Sequence, residues 1–324
     1  MRDPLDEVRA QDVPVDVLRR AVAQDRLAGA YLFEGPSGVG KERTAIALAK
    51  TVLGPAAAGR IDHGTHPDVR IFRPRDDGHR NIKVEKLREE ILPYADFAPF
   101  EANRAFLIFP EAEVSFPQHH AESANALLKT LEEPKPGVTF LLLSERPDRL
   151  LPTIRSRCQR LRFGRLPPEV LAEILAEREV PEELRDAAIA LADGRADVAL
   201  RHCEEGAAER LLELALRIDD AVGGNRPGAL VLAAEELARH DDPVLALDAL
   251  GLFYRDVAVS AAGLPDDHLR FRHRAEIIRR RAARLSPGAA SERVALIQRT
   301  LMDLEANAQR QMAMDALLHR MRAT

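Results

Sequence analysis

The sequence predicts an α/β domain with a parallel sheet flanked by helices, then a small helical unit, then an all-α C-terminal domain. Three observations carry this. The apolar run Gly29–Glu34 feeds the loop Gly35-Pro36-Ser37-Gly38-Val39-Gly40-Lys41, and a helical pattern over Arg43–Thr51 follows, which is strand, glycine-rich loop and helix in order. Further apolar runs at Val69–Phe72, Arg104–Phe109 and Val138–Leu143 alternate with amphipathic stretches, as parallel strands with crossover helices do. From about Gly206 onward, long amphipathic segments are punctuated only by Gly, Pro and Asp turns, the pattern of about five bundled helices. Domain bounds of 1–164, 165–205 and 206–324 follow.

Composition narrows the function. At 324 residues the chain is too long for one ordinary domain. Hydrophobic content of 46% and charged content of 31% fit a globular protein with real cores; aromatics are only 4% with no Trp, while Ala and Leu dominate, which favours helices. A net charge of −5 excludes a wholesale nucleic-acid coat, so any DNA contact needs a local basic patch. Two cysteines, Cys158 and Cys203, make neither a disulfide framework nor a four-thiolate zinc site, and a buried small hydrophobe is the role expected of Cys158. No run approaches bilayer length, and MRDPLDEVRA lacks an apolar signal core, so a cytoplasmic protein without a membrane partner is expected.

In chain order, Val15–Gln24 has helical spacing and precedes the first strand. Gly35, Gly38 and Gly40 let backbone N–H groups turn inward around phosphates, the helix start adds its dipole, and Lys41 reaches the terminal phosphates. The match fails at one position. Glu42 stands where a Ser or Thr would ligate Mg²⁺, and a carboxylate there repels phosphate while satisfying the helix dipole. His63 and His66 lack further ligands at metal spacing and read as a loop. Asn81–Leu92 reads as an amphipathic helix. The strand Arg104–Phe109 ends in Pro110 where an Asp would order Mg²⁺, which leaves Glu111 as a turn acid. Glu122–Glu133 reads as a helix stopped by Pro134. Ser144 closes the strand Val138–Leu143, either to sense a γ-phosphate or simply to end the strand.

Leu151-Pro152-Thr153-Ile154-Arg155-Ser156-Arg157-Cys158 then leaves a buried strand. An Arg at such a loop edge can reach a neighbouring subunit's nucleotide and neutralise charge on its γ-phosphoryl oxygens. This segment resembles the arginine-finger motif of AAA+ clamp-loader ATPases. GAYLFEGPSGVGK, HPDVRIF, ANALLKTLEEP, LLPTIRSRCQRLRF and LEANAQRQMAMDALL recur in order in the delta-prime family of bacterial DNA polymerase III clamp loaders, whose gamma/tau paralogues keep working nucleotide sites. Glu42 and Pro110 favour delta-prime over gamma/tau. Many members carry four zinc-binding cysteines after the phosphate loop; this chain has none there, so no zinc is expected and the local fold around Leu53–His63 stays open.

In the small helical unit, helices are expected at Glu169–Arg178, Pro181–Ala192 and Arg195–Glu204. The resemblance places a phosphate-sensing Arg in the third, where this chain has Asp197, with Arg195 on a different face. The C-terminal bundle resembles the collar through which clamp-loader subunits form a ring. Asn307 matches a family position, as a buried polar pair or an exposed side chain. Arg270, Arg272, Arg274, Arg279, Arg280, Arg281 and Arg284 read as a solvated face or a subunit contact.

The resemblance implies a non-hydrolysing ring member of a hetero-oligomer that supplies Arg157, with Ser156 beside it, to ATP on a gamma/tau subunit. Its expected partners are gamma/tau and delta and, through the complex, the sliding clamp and primer-template DNA. No cofactor is required; weak ATP or ADP binding at Gly35, Gly38, Gly40, Lys41 and Ser144 stays open. A gamma/tau-like ATPase is the alternative, requiring Glu42 to hold Mg²⁺ and Glu111 to act without an Asp. A P-loop regulatory module outside any clamp loader is the third.

Overall fold

The computed structural model describes residues 3–74, 81–116, 121–203, 206–226 and 228–324. Residues 204 and 205, where the sequence ends the small helical unit, and Pro227 in a bundle turn lie outside them. The chain divides into two compact units, 1–170 and 171–324.

The first unit is built on five parallel strands: β1 Ala30–Glu34, β2 Val69–Ile71, β3 Ala105–Phe109, β4 Val138–Ser144 and β5 Gln159–Arg162. Their order is β2-β3-β4-β1-β5. The register runs Tyr31↔Leu141 and Glu34↔Ser144 between β1 and β4, and Tyr31↔Gln159 and Glu34↔Arg162 between β1 and β5.

Side chains alternate across the pleat and feed two cores. Tyr31 and Phe33 of β1, Phe106 and Ile108 of β3, and Leu141 and Leu143 of β4 join Leu18 and Leu48 on one face. Leu32, Leu107, Phe109, Phe140 and Leu142 join Leu127, Leu131 and Ile154 on the other. Burial on both faces explains why these strands read as continuous apolar runs.

Most helices fall within a few residues of their expected bounds: Asp12–Ala23, Lys41–Leu53, Ala121–Glu132, Pro168–Glu177, Glu182–Ala192 and Ala196–Cys203. The segment Leu53–His63 holds a short helix, Pro55–Asp62, started by Gly54 at φ +82° and by Pro55 at its first position. One expectation needs correction. The single helix over Asn81–Leu92 is instead Val84–Lys86, a π-helical turn Leu87–Ile91 and Leu92–Asp96. Pro93 supplies no N–H for a regular ladder, and the widened turn accommodates that.

In the second unit Glu182–Ala192 packs on Ala196–Cys203 and on Ala207–Gly223. The bundle continues with Ala229–Arg239, Pro243–Ala261, Ala275–Ala282, Pro287–Glu305 and Arg310–Ala323, six helices among the described residues against about five expected. No described helix is long and apolar enough to cross a membrane.

Candidate functional site: the phosphate loop and the Arg157 turn

The loop leaves the C-terminal end of β1 and enters the helix Lys41–Leu53. Gly35 donates its N–H to the Ser144 carbonyl at 3.1 Å, which ties the loop to the end of β4. A Cβ on Gly35 would lie 2.4 Å from the Phe163 carbonyl oxygen, so only glycine fits there. Gly38 and Gly40 take left-handed backbone, φ +63° and +100°, which turns the loop into the helix. The Lys41 ammonium donates to two carbonyls of its own loop, Gly35 at 2.6 Å and Pro36. Ser144 is fully buried and its Oγ has no partner, so a hydroxyl sits unsatisfied at the strand end beside the loop.

The metal-binding half of the site is occupied by protein. Glu42 makes a two-armed ion pair with Arg73, at 2.6 and 3.0 Å. Its carboxylate therefore serves a guanidinium while lying in the first helical turn, where the dipole also favours it. Pro110 follows β3, and Glu111 takes a left-handed conformation, φ +48°, with its carbonyl accepting from Val114 and Ser115. Neither position after β3 offers a metal-ordering Asp. The donor set does not fit a Mg²⁺–nucleotide.

Arg157 lies at the opposite, N-terminal end of the parallel strands, just before the edge strand β5. The short helix Pro152–Arg155 ends just before it, and β5 begins two residues later. Because β5 runs parallel to β1, with Gln159 opposite Tyr31, Arg157 precedes the start of the pair and the phosphate loop follows its end. The five residues of β1 span roughly 13 Å at about 3.3 Å per residue. The guanidinium donates to the Thr153 carbonyl at 2.9 Å and to the Glu132 carboxylate. Ser156 is exposed, and its Oγ donates to the same Thr153 carbonyl at 3.1 Å. Cys158 is buried; burial first, and the Glu34 carboxylate second, push its thiol up to about 12, so it is an inert core group.

Several contacts were invisible in the sequence. Gln11, 3% exposed, donates to the carbonyls of Val39 and Gly164 at 3.2 and 2.8 Å and accepts from the Gly164 N–H at 3.0 Å, pinning the loop to the segment after β5. Glu34 binds Arg160 through both oxygens. His66 is buried and its Nε2 lies 3.3 Å from Glu101. With Asp68 these groups have ligand atoms within 4.8 Å of one another. Asp68 already accepts the N–H groups of Phe100, Glu101 and Ala102, and Glu101 also pairs with Arg60, so the trio pins a loop. His63 bonds Gly59 at the end of its own helix.

In the second unit, Asp197 accepts the N–H of Val198 and Arg195 donates to the Ala192 carbonyl. Asn307 is exposed at φ +66°, with its N–H on the Leu304 carbonyl, a left-handed cap of the helix Pro287–Glu305. The Arg270–Arg284 face, expected to be solvated or a subunit contact, stays partly exposed and also carries ion pairs. Arg270 pairs with Asp193, Arg274 with Glu209, Arg279 with Asp266, Arg280 with Glu276 and Arg281 with Asp219 and Asp220, while Arg272 donates to the Asp267 carbonyl. These arginines serve the unit's own acids.

A parallel sheet in this order with a phosphate loop after β1 defines a P-loop α/β domain of the AAA+ class, here with its metal-ligand positions replaced. Residues 10–167 match the family described as DNA polymerase III, delta subunit. The DNA polymerase III subunit delta' of Bacillus subtilis is 36% identical over 174 residues, covering 51% of this chain and 50% of that protein. The subunit delta' of Pseudomonas aeruginosa is 37% identical over 142 residues, covering 40% and 42%. The subunit tau of Escherichia coli is 31% identical over 299 residues, covering 81% and 45%. The chain spans about half the length of the curated relatives it matches. This N-terminal region is thus similar to delta-prime clamp-loader subunits of DNA polymerase III and to their gamma/tau paralogues.

Proposed function

We propose that this chain acts as the delta-prime subunit of a DNA polymerase III clamp loader in DNA replication, a ring member that does not itself hydrolyse ATP. It supplies Arg157 in trans to ATP held by a neighbouring gamma/tau-type subunit. The observation that supports this best is the placement of Arg157 at the end of the parallel strands opposite its own phosphate loop. From there the guanidinium serves another subunit's site far more readily than its own. The loop fits the same reading: Lys41 binds loop carbonyls, Glu42 binds Arg73, and Pro110 replaces an Asp.

Partners under this reading are gamma/tau-type and delta-type subunits and, through the assembled ring, the sliding clamp and primer-template DNA. No zinc and no bound nucleotide are required. Weak ATP or ADP binding at Gly35, Gly38, Gly40, Lys41 and Ser144 is compatible with it, without turnover.

The test mixes the full chain with gamma/tau-type and delta-type subunits and measures assembly by mass, beside ATP turnover by the chain alone. The expected result is a ring containing this chain and no turnover in isolation. Turnover by the isolated chain that Lys41→Ala abolishes would establish a gamma/tau-like ATPase instead.

A further inference from the structure

The geometry points to Glu132 as the residue that positions the Arg157 finger, an inference that rests on the trans role proposed above. Glu132 is the last residue of the helix Ala121–Glu132. The helix dipole disfavours a carboxylate at that end, so the residue gains nothing from its own helix. It gains a partner from the following turn instead: Arg157 Nη2 donates to Glu132 Oε1. Ala124, Leu127 and Leu131 bury the same helix against the sheet, so the carboxylate is presented by a fixed element.

The second anchor comes from the turn itself. Arg157 Nη1 donates to the Thr153 carbonyl at 2.9 Å, and Ser156 Oγ binds that same oxygen. Two acceptors on two elements fix the plane of the guanidinium. Its Nε is buried without a partner, while one N–H on each Nη makes no bond among the described residues. A guanidinium has five N–H donors, so holding two at the base leaves a pair for phosphoryl oxygens.

An arginine loses much rotamer freedom when it is ordered, and ordering it in advance removes that cost from the transition state. The pair is 31% and 48% exposed, in the range where an ion pair adds little to fold stability. Its consequence is therefore expected in rate. Glu132 is a positioning residue: it touches the finger and not the nucleotide.

The test measures ATP hydrolysis by the assembled loader with clamp and DNA, over a range of ATP concentrations. It compares wild type, Glu132→Gln, Glu132→Asp, Arg157→Ala and the Glu132→Gln/Arg157→Ala double variant, each checked for an intact ring. Glu132→Gln is expected to lower the finger-dependent kcat about 10-fold with KM unchanged, as lost preorganisation does. Glu132→Asp, with its charge on a shorter arm, falls between, and serves alone should Glu132→Gln not assemble. In the Arg157→Ala background the Gln substitution is expected to add nothing. An unchanged or raised kcat for Glu132→Gln overturns the proposal, the rise meaning that Glu132 withholds the finger. An equal fold-loss with and without Arg157 also overturns it, as a structural effect. Arg157→Ala without effect is a separate result that removes the trans reading itself and this inference with it.

Discussion

Glu42 and Arg73 close a two-armed ion pair, 2.6 and 3.0 Å, at the place where a phosphate-loop ATPase holds its metal. A carboxylate on the first helical turn repels a polyphosphate, and its guanidinium partner keeps it in place. Glu42→Thr is therefore expected to raise equilibrium affinity for ATP about 10-fold or more, since one full charge is removed beside the phosphates. Titration with a fluorescent ATP analogue measures it. No hydrolysis is expected of the variant, because Pro110 still supplies no carboxylate.

Gly35 carries a steric prediction. A Cβ there meets the Phe163 carbonyl at 2.4 Å, and backbone cannot yield as a side-chain tip does. Gly35→Ala is expected to destabilise the first unit by about 1–3 kcal/mol. Gly59→Ala, in the helix Pro55–Asp62 with nothing within 4 Å of the new methyl, is expected to be neutral or stabilising by up to about 1 kcal/mol. Thermal unfolding of both variants reads the contrast.

Much of this was legible in the sequence. Strands β1, β3 and β4 were, because burial on both faces makes them apolar throughout, whereas β5, with Gln159, Arg160 and Arg162 exposed, was not; Glu42 and Pro110 were, because a motif fixes what each position must do. Contacts between distant residues were not. Glu42 meets Arg73 31 positions away, Arg157 meets Glu132 25 away, and Gln11 meets Gly164 153 away. Each is a polar side chain in a stretch whose periodicity says only that it is helix edge or loop. In the Arg270–Arg284 segment the local partners Asp266 and Glu276 stand close in sequence, but Asp193, Glu209, Asp219 and Asp220 lie elsewhere in the unit.

His202 gives the second unit an acid-dependent stability. It is buried, and its Nε2 has no hydrogen-bond partner among the described residues. Burial, then the charges of Arg201 and Arg195, push its imidazole from the ordinary 6.5 down to about 4, against a smaller opposing pull from Asp242. The unfolded chain takes up a proton below 6.5 that the folded chain refuses until about 4. Stability is therefore expected to fall as pH drops through that window, by about 3 kcal/mol in all. Denaturant unfolding at pH 7 and at pH 4.5 should show a smaller drop for His202→Gln than for wild type. Equal drops in the two proteins would assign the acid sensitivity to other groups.

The most direct measurement of the central claim is clamp- and DNA-stimulated ATP hydrolysis by the assembled loader, wild type against Arg157→Ala, with ring integrity checked by mass. Removing an arginine finger costs about 10³–10⁵ at the site it serves. One site of an intact ring is expected to fall silent, while Lys41→Ala in this chain leaves the rate unchanged. An intact Arg157→Ala ring that hydrolyses ATP at the wild-type rate would contradict it.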